Sequence, residues 1–311
     1  MFKKLIILFI CMPLMTISAQ MEKEDYFTPE NGKTNMFYRE QGQGGPVLLM
    51  IHGLGSNSGA FKKLETLASQ YGTTVVIDLP GYGRSEDQGF EAGMKNYAEL
   101  IKNFVEDRKY QDVILAGHSM GAQIAMTAAL QEESQSWLSG LFLMAPAGIE
   151  TFSENDHAWF KTYVTPQTMS LVPDTQLKQN FDINFASGKL PEDAMFMYEE
   201  RLALKEDNEA FMAYLNMVSD NVQAMLNEPV INRLPEIEQP VWIMYGEQDY
   251  LIPNKLLHPA LTMEDLKASC KFSNPESKFM TIGNAGHFLV WEQPEKLNSL
   301  LKEFTELNSS E

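Results

Sequence analysis

Cysteine is nearly absent from this 311-residue chain, which has only Cys11 and Cys270. A disulfide-stapled scaffold is therefore excluded. Basic charge is also scarce. Twenty-four Lys and Arg face 42 Asp and Glu, for a net charge of −18. Such a surface repels phosphate backbones, so neither nucleic acid nor an anionic membrane face is a fitting partner. Long hydrophobic runs are missing beyond the N-terminus. No later stretch approaches the roughly 20 apolar residues that a spanning helix requires. Internal repeats and low-complexity tracts are absent too, which excludes solenoids and disordered arrays.

What is present begins with the layout of a secretory signal. Phe2-Lys3-Lys4 is a short basic start, and an apolar stretch at residues 5–17 follows. Ile17-Ser18-Ala19 ends in a small residue before Gln20. Cleavage after Ala19 is the expectation, with a periplasmic or extracellular destination and no membrane span left. The alternative is an uncleaved N-terminal anchor. Lipid attachment at Cys11 is disfavoured by the bulky Ile10 before it. Residues 1–19 carry Lys3 and Lys4 and no acid, so the mature charge becomes 22 − 42 = −20. Cys270 is then alone and reads as an ordinary thiol.

Hydrophobic residues make up 44% of the chain, enough for a sizeable core. Short apolar runs at 46–51, 73–77, 113–116 and 141–145 predict strands. Helical segments at 61–69, 97–108 and 122–132 separate them. Strands apolar on both faces and spaced by helices imply a parallel sheet covered on both sides. From 149 to 234 the strand rhythm stops and the chain is helical in character. Strands resume at 240–245 and 278–282, and 292–307 predicts a closing helix. The fold class is thus α/β, a mostly parallel central sheet with helices on both faces. Its core spans 20–148 and 235–311, and 149–234 is a helical cap over the sheet edge where ligands bind.

Gly117-His118-Ser119-Met120-Gly121 directly follows the run Asp112–Ala116. A glycine-bracketed serine between a strand and a helix sits on a strained turn that pushes its hydroxyl above the sheet. A serine hydroxyl needs a base, and that base needs a carboxylate to fix its tautomer. Of the five histidines, His52 and His118 lie in tight loops near the serine in sequence. His157 falls in the cap, and His258 follows the penultimate strand. His287, in Gly283-Asn284-Ala285-Gly286-His287-Phe288, follows the last strand and is the best base candidate. Asp249, in Gly246-Glu247-Gln248-Asp249, follows the strand before it and is the best orienting acid. Glu247 is its competitor. The oxyanion donors expected are the backbone N–H groups of Met120 and of Leu54, the latter in the glycine loop His52–Ser56.

These motifs together resemble the α/β-hydrolases of the capped, serine-nucleophile type. His-Gly-Leu-Gly at 52–55, Asp-Leu-Pro-Gly-Tyr-Gly-Arg-Ser at 78–85, Gly-His-Ser-Met-Gly at 117–121, Gly-Glu-Gln-Asp at 246–249 and Gly-His at 286–287 occur in the family's order. The resemblance covers about residues 45–308; the cap matches by position only. It implies an eight-stranded, mostly parallel sheet and no cofactor; no metal ligand is assigned. Asp78–Ser85 would be a structural loop. Haloalkane dehalogenases and epoxide hydrolases use an aspartate nucleophile, so Ser119 argues against both. The stretch 254–277 is longer than a minimal connection between its strands.

The expectation is a serine hydrolase, foremost a carboxylic-ester hydrolase of small or medium apolar esters. Its substrate partner would be a small acyl compound; the sequence carries no signal for an oligomeric state. An aminopeptidase, a carbon–carbon bond hydrolase or an acyltransferase could share the triad, and so could a non-enzymatic receptor. Met169, Met195, Met197, Met212, Met217 and Met225 in the cap either fill its core or line an adaptable apolar pocket. Glu199 and Glu200 read as a solvated helix face, with amine binding, as by cap acids of related aminopeptidases, as the alternative.

Overall fold

The computed structural model describes residues 22–308. The expected signal segment, residues 1–19, lies outside the described residues. Eight strands form one sheet: β1 (Lys23–Phe27), β2 (Met36–Gln41), β3 (Val47–Ile51), β4 (Thr73–Ile77), β5 (Val113–His118), β6 (Leu138–Met144), β7 (Val241–Gly246) and β8 (Lys278–Ile282). The helices are α1 (Lys62–Ala68), α2 (Met94–Arg108), α3 (Met120–Ala129), α4 (Glu154–Tyr163), α5 (Pro166–Ser170), α6 (Asp174–Asp182), α7 (Met195–Glu206), α8 (Asn208–Asn227), α9 (Met263–Ser269), α10 (Leu289–Glu292) and α11 (Pro294–Asn308).

Across the sheet the order is β1-β2-β4-β3-β5-β6-β7-β8. β2 runs antiparallel to β1 and β4, and every other pairing is parallel. The expected architecture is therefore the observed one. All five residues of β3 and all six of β5 and of β7 are buried. Burial on both faces explains why these strands are unbroken apolar runs. Each fully buried Leu, Ile or Val there contributes about 1.5–3 kcal/mol relative to exposure. The winding direction changes at β3, which has β4 on one side and β5 on the other. The crevice at such a reversal opens at the C-terminal ends of the strands. α3 starts there, and its Ala-rich sequence lets all ten residues pack inside the protein.

The helical insertion between β6 and β7 contains α4 to α8. α8 is its anchor, burying Phe211, Tyr214, Leu215, Val218 and Val222 at helical spacing along one face. α4, α5 and α6 bury no residue at all. A second small cluster of Phe185, Leu190, Ala194 and Met197 packs against Trp291 of α10. Some short elements were not foreseen. β1 was not foreseen, because Lys23-Glu24-Asp25 leads an exposed edge strand with no apolar alternation. The closing helix expected at 292–307 is α11, which Pro294 starts, and the short α10 before it was not foreseen. Among the described residues, no helix is long and apolar enough to cross a membrane.

Candidate active site

Ser119 occupies the turn between β5 and α3 with φ 53° and ψ −116°. A positive φ costs a non-glycine residue on the order of 1–3 kcal/mol unless its surroundings impose it. Here they do. The Ser119 N–H donates to Met144 O at 2.9 Å, and its carbonyl accepts from Ala122, Gln123 and Ala147 N–H at 3.1–3.2 Å. The bracketing glycines are steric necessities. A Cβ on Gly117 would lie 2.4 Å from Ala122 Cα, and one on Gly121 would lie 2.1 Å from Ile51 O. Both contacts are with backbone, which has no room to retreat.

His287 and Asp249 meet as the sequence suggested. Asp249 Oδ2 accepts from His287 Nδ1 at 3.0 Å, and both side chains are almost wholly buried. Asp249 Oδ1 accepts the N–H groups of Leu251 and Ile252 at 2.8 and 3.0 Å. Both carboxylate oxygens are thereby engaged, and the carboxylate acceptor requires the proton of His287 on Nδ1. Nε2, with no hydrogen bond among the described residues, is the ring nitrogen free to act on a substrate proton. Glu247, the competing acid, is exposed and makes no hydrogen bond or ion pair with the imidazole among the described residues. No hydrogen bond joins Ser119 Oγ to the His287 ring among the described residues. Their closeness is carried instead by His118, whose Nε2 donates to the His287 carbonyl at 2.9 Å and whose ring centroid is 5.0 Å from that of His287.

Leu54 follows β3, beside the serine. A Cβ on Gly53 would fall 3.0 Å from Ser119 Cβ. The Gly53 carbonyl accepts from His52 Nδ1 at 2.8 Å and from Ser56 N–H at 3.2 Å. A trans peptide is planar, so fixing that carbonyl fixes the opposed Leu54 N–H. His52 is itself fixed, because its Nε2 accepts from Leu79 N–H at 2.9 Å. Burial pulls its pKa down, which keeps the ring neutral and its tautomer single. Neither the Leu54 nor the Met120 N–H is engaged by another group among the described residues. The Asp78–Ser85 loop is structural, as expected: Asp78 accepts from Ser58 and Arg84 N–H at 2.6 and 2.9 Å, and its carbonyl holds the Ser85 hydroxyl.

The insertion reaches this edge at several points. Arg201 of α7 donates to the Gly55 carbonyl and stacks over Tyr214 at 4.0 Å. Glu199 and Glu200 are both exposed, as a solvated helix face requires, and Glu200 also accepts from Asn57 Nδ2 at 2.9 Å. Phe288 N–H donates to Asn184 O at 3.0 Å, and Phe185 stacks on Phe288 with centroids 5.6 Å apart. Glu292 accepts from Gly286 N–H at 2.7 Å and Ala186 N–H at 2.9 Å. Sequence reasoning did not find His118, Arg201 or Glu292, whose partners lie far away in the chain. His258 is elsewhere, its Nδ1 on Glu150 at 2.5 Å and its Nε2 on Asp156 at 3.2 Å, tying α4 to the core. Cys270 is buried, which pushes its thiol up to about 12 and leaves it unreactive. Among the described residues, no cluster of His, Cys, Asp and Glu could hold a metal ion.

A sequence model of the alpha/beta hydrolase family matches residues 48–300. The chain belongs to that family. Its curated relatives include a hydrolase, YugF, of Bacillus subtilis, 24% identical over 87% of this chain and 94% of that protein. A 2-hydroxy-6-oxononadienedioate/2-hydroxy-6-oxononatrienedioate hydrolase of Paraburkholderia phymatum is 23% identical over 86% of this chain and 89% of that protein. Among solved structures, an esterase from Exiguobacterium antarcticum superposes with TM-score 0.72 at 20% identity, covering 91% of this chain and all of that one. An esterase from Thermogutta terrifontis gives TM-score 0.69 at 20% identity, covering 92% and 99%. At such identity the structural likeness is one of fold.

Proposed function

We propose that this alpha/beta hydrolase is an exported serine hydrolase that cleaves carboxylic esters, with small or medium apolar acyl groups, through an acyl-enzyme. The observation that carries the reading is the buried His287–Asp249 hydrogen bond, at the ends of neighbouring strands and beside the strained Ser119 turn. Ser119 Oγ attacks the ester carbonyl while His287 Nε2 takes its proton. Asp249 holds the imidazole in orientation and stabilises the imidazolium. The unengaged N–H groups of Leu54 and Met120 receive the oxyanion, each contributing about 3–4 kcal/mol to the transition state. His287 then protonates the departing alkoxide. Water, deprotonated by the same ring, releases the acid and restores Ser119.

Apolar specificity is supported by the aromatic pair Phe185–Phe288 next to His287 and by half-buried Leu54. Export is supported by the composition of residues 1–19 alone. The test is labelling of the purified protein with a fluorophosphonate probe, with p-nitrophenyl esters of increasing chain length alongside. Labelling that disappears in Ser119→Ala, with turnover of short and medium esters, is the expected result. Equal labelling of Ser119→Ala would overturn the assignment.

A further inference from the structure

His118 has no role in the chemistry above, yet it is the buried residue that joins the nucleophile turn to the loop of the base. We propose that His118 is a positioning residue that sets the distance between Ser119 and His287 by donating its Nε2 proton to the His287 carbonyl. The inference rests on the proposed role of His287 as base.

Three observations carry it. The first is the tautomer. A carbonyl oxygen only accepts, so the 2.9 Å contact requires the proton on Nε2. Nδ1 is then bare, and it is buried with no partner. A buried nitrogen without a partner is costly, and an apolar phenylalanine or leucine side chain would avoid that cost. The Nε2 bond is what the histidine supplies in return. The second is the fit. His118 is 1% exposed and lies between Gly53, whose added Cβ would come within 3.0 Å of Nδ1, and the rings of His287 and Phe288, each centred 5.0 Å away. The ring is wedged between the oxyanion loop and the base loop.

The third is what the bond immobilises. The peptide after His287 is held at both ends, its carbonyl by His118 and its Phe288 N–H by Asn184 O. The peptide before Gly286 is also held at both ends, its Ala285 carbonyl by Gln248 N–H and its Gly286 N–H by Glu292. The plane after His287 is pinned directly and the plane one residue before it is pinned through Gly286, and together they restrict the direction of its Cα–Cβ bond. Asp249 then sets the rotation of the ring. Among these ties, only that from His118 leads back within one residue to Ser119. Burial and the nearby His287 ring hold the His118 pKa down at about 3. It stays neutral at working pH and does not repel the imidazolium that forms on His287.

The test uses three variants of the full chain, with p-nitrophenyl butyrate and a fluorophosphonate probe. Gln at 118 can place its amide N–H near the Nε2 position, whereas Asn is too short and Phe keeps the ring without a donor. His118→Phe and His118→Asn are expected to lower kcat and the labelling rate about 10- to 100-fold, the scale of a misplacement near 1 Å. KM should change less than about twofold, and His118→Gln should recover most of the loss. A role in packing alone would favour Phe over Gln. Full kcat in folded His118→Phe, or equal losses in Gln and Asn, overturns the proposal. If the polar variants do not fold, His118→Phe decides alone. Ser119→Ala and His287→Ala run alongside. Turnover surviving in them refutes the triad itself, whereas a flat His118 series with inactive triad variants refutes this inference only.

Discussion

Replacing Asp249 by Asn separates the electrostatic work of this carboxylate from its structural work. Oδ1 accepts two backbone N–H groups, from Leu251 and Ile252, while Oδ2 accepts from His287 Nδ1. An asparagine can satisfy only one side. With its carbonyl on the two N–H groups, its NH2 faces His287 and forces the proton to Nε2, and that tautomer cannot take a proton from Ser119. With its carbonyl on His287, its NH2 faces two N–H donors instead. The second arrangement loses two hydrogen bonds at about 1–3 kcal/mol each, so the productive tautomer is reached at a cost of about 2–6 kcal/mol. At 1.36 kcal/mol per decade this lowers kcat by roughly 30-fold to 26,000-fold. Stability should barely change, because the preferred arrangement keeps both backbone bonds. Ester turnover and thermal melting of Asp249→Asn measure the two effects. A folded variant with kcat within about threefold of the parent would refute the reasoning, and so would a large fall in melting temperature accounting for the lost rate.

Other perturbations follow from the same geometry. Gly121→Ala drives a Cβ into the Ile51 and His52 carbonyls, so it should cost about 3 kcal/mol or more, or block folding, read as soluble yield and melting temperature. Glu65→Ala removes the partner that holds the largely buried Arg39 guanidinium through both carboxylate oxygens and leaves it only the exposed Glu22 at 3.7 Å; a loss of about 2–3 kcal/mol in chemical unfolding is expected, below that of a buried charge left wholly unpaired. His52 and His118 are held neutral by burial. Their pKa values are lowered, so the unfolded chain binds protons below about pH 6.5 that the folded chain refuses. Both rings therefore cost stability as pH falls below that point; His118, held at about 3, should remove about 1.4 kcal/mol per pH unit toward pH 4, and His118→Gln should show a shallower decline. For His258, burial lowers the pKa but the Glu150 and Asp156 carboxylates outweigh it and raise it. Its stabilisation is full below pH 6.5 and fades as pH rises through the folded value, so His258→Gln should lower the melting temperature more at pH 6 than at pH 9.

The central strands were legible because burial on both faces leaves little besides Val, Leu, Ile and Met, as in Val47–Ile51. The nucleophile turn was legible because each glycine answers a backbone contact set within a few residues or by the next strand. Asp249 and His287 could be singled out because strand ends impose an order on the loops. Edge strand β1 could not be, because exposed positions accept any residue and Lys23-Glu24-Asp25 carries no period. The short α10 was hidden because four residues are too few to show a helical period, whereas Pro294 suits the first turn of α11. The role of His118 was out of reach. Its acceptor is 169 positions away, and nothing local marks a buried histidine as a donor to a distant carbonyl.

The spread of the site along the chain has a consequence for synthesis. Ser119 emerges early, Asp249 much later, and His287 only after β8, the last strand at the far edge of the sheet. On the proposed triad, a nascent chain lacking its final segment holds a serine without a base. Hydrolysis then requires the loop after β8, which pairs only with β7 and carries His287. On that reading a product terminated before β8 is silent rather than indiscriminate.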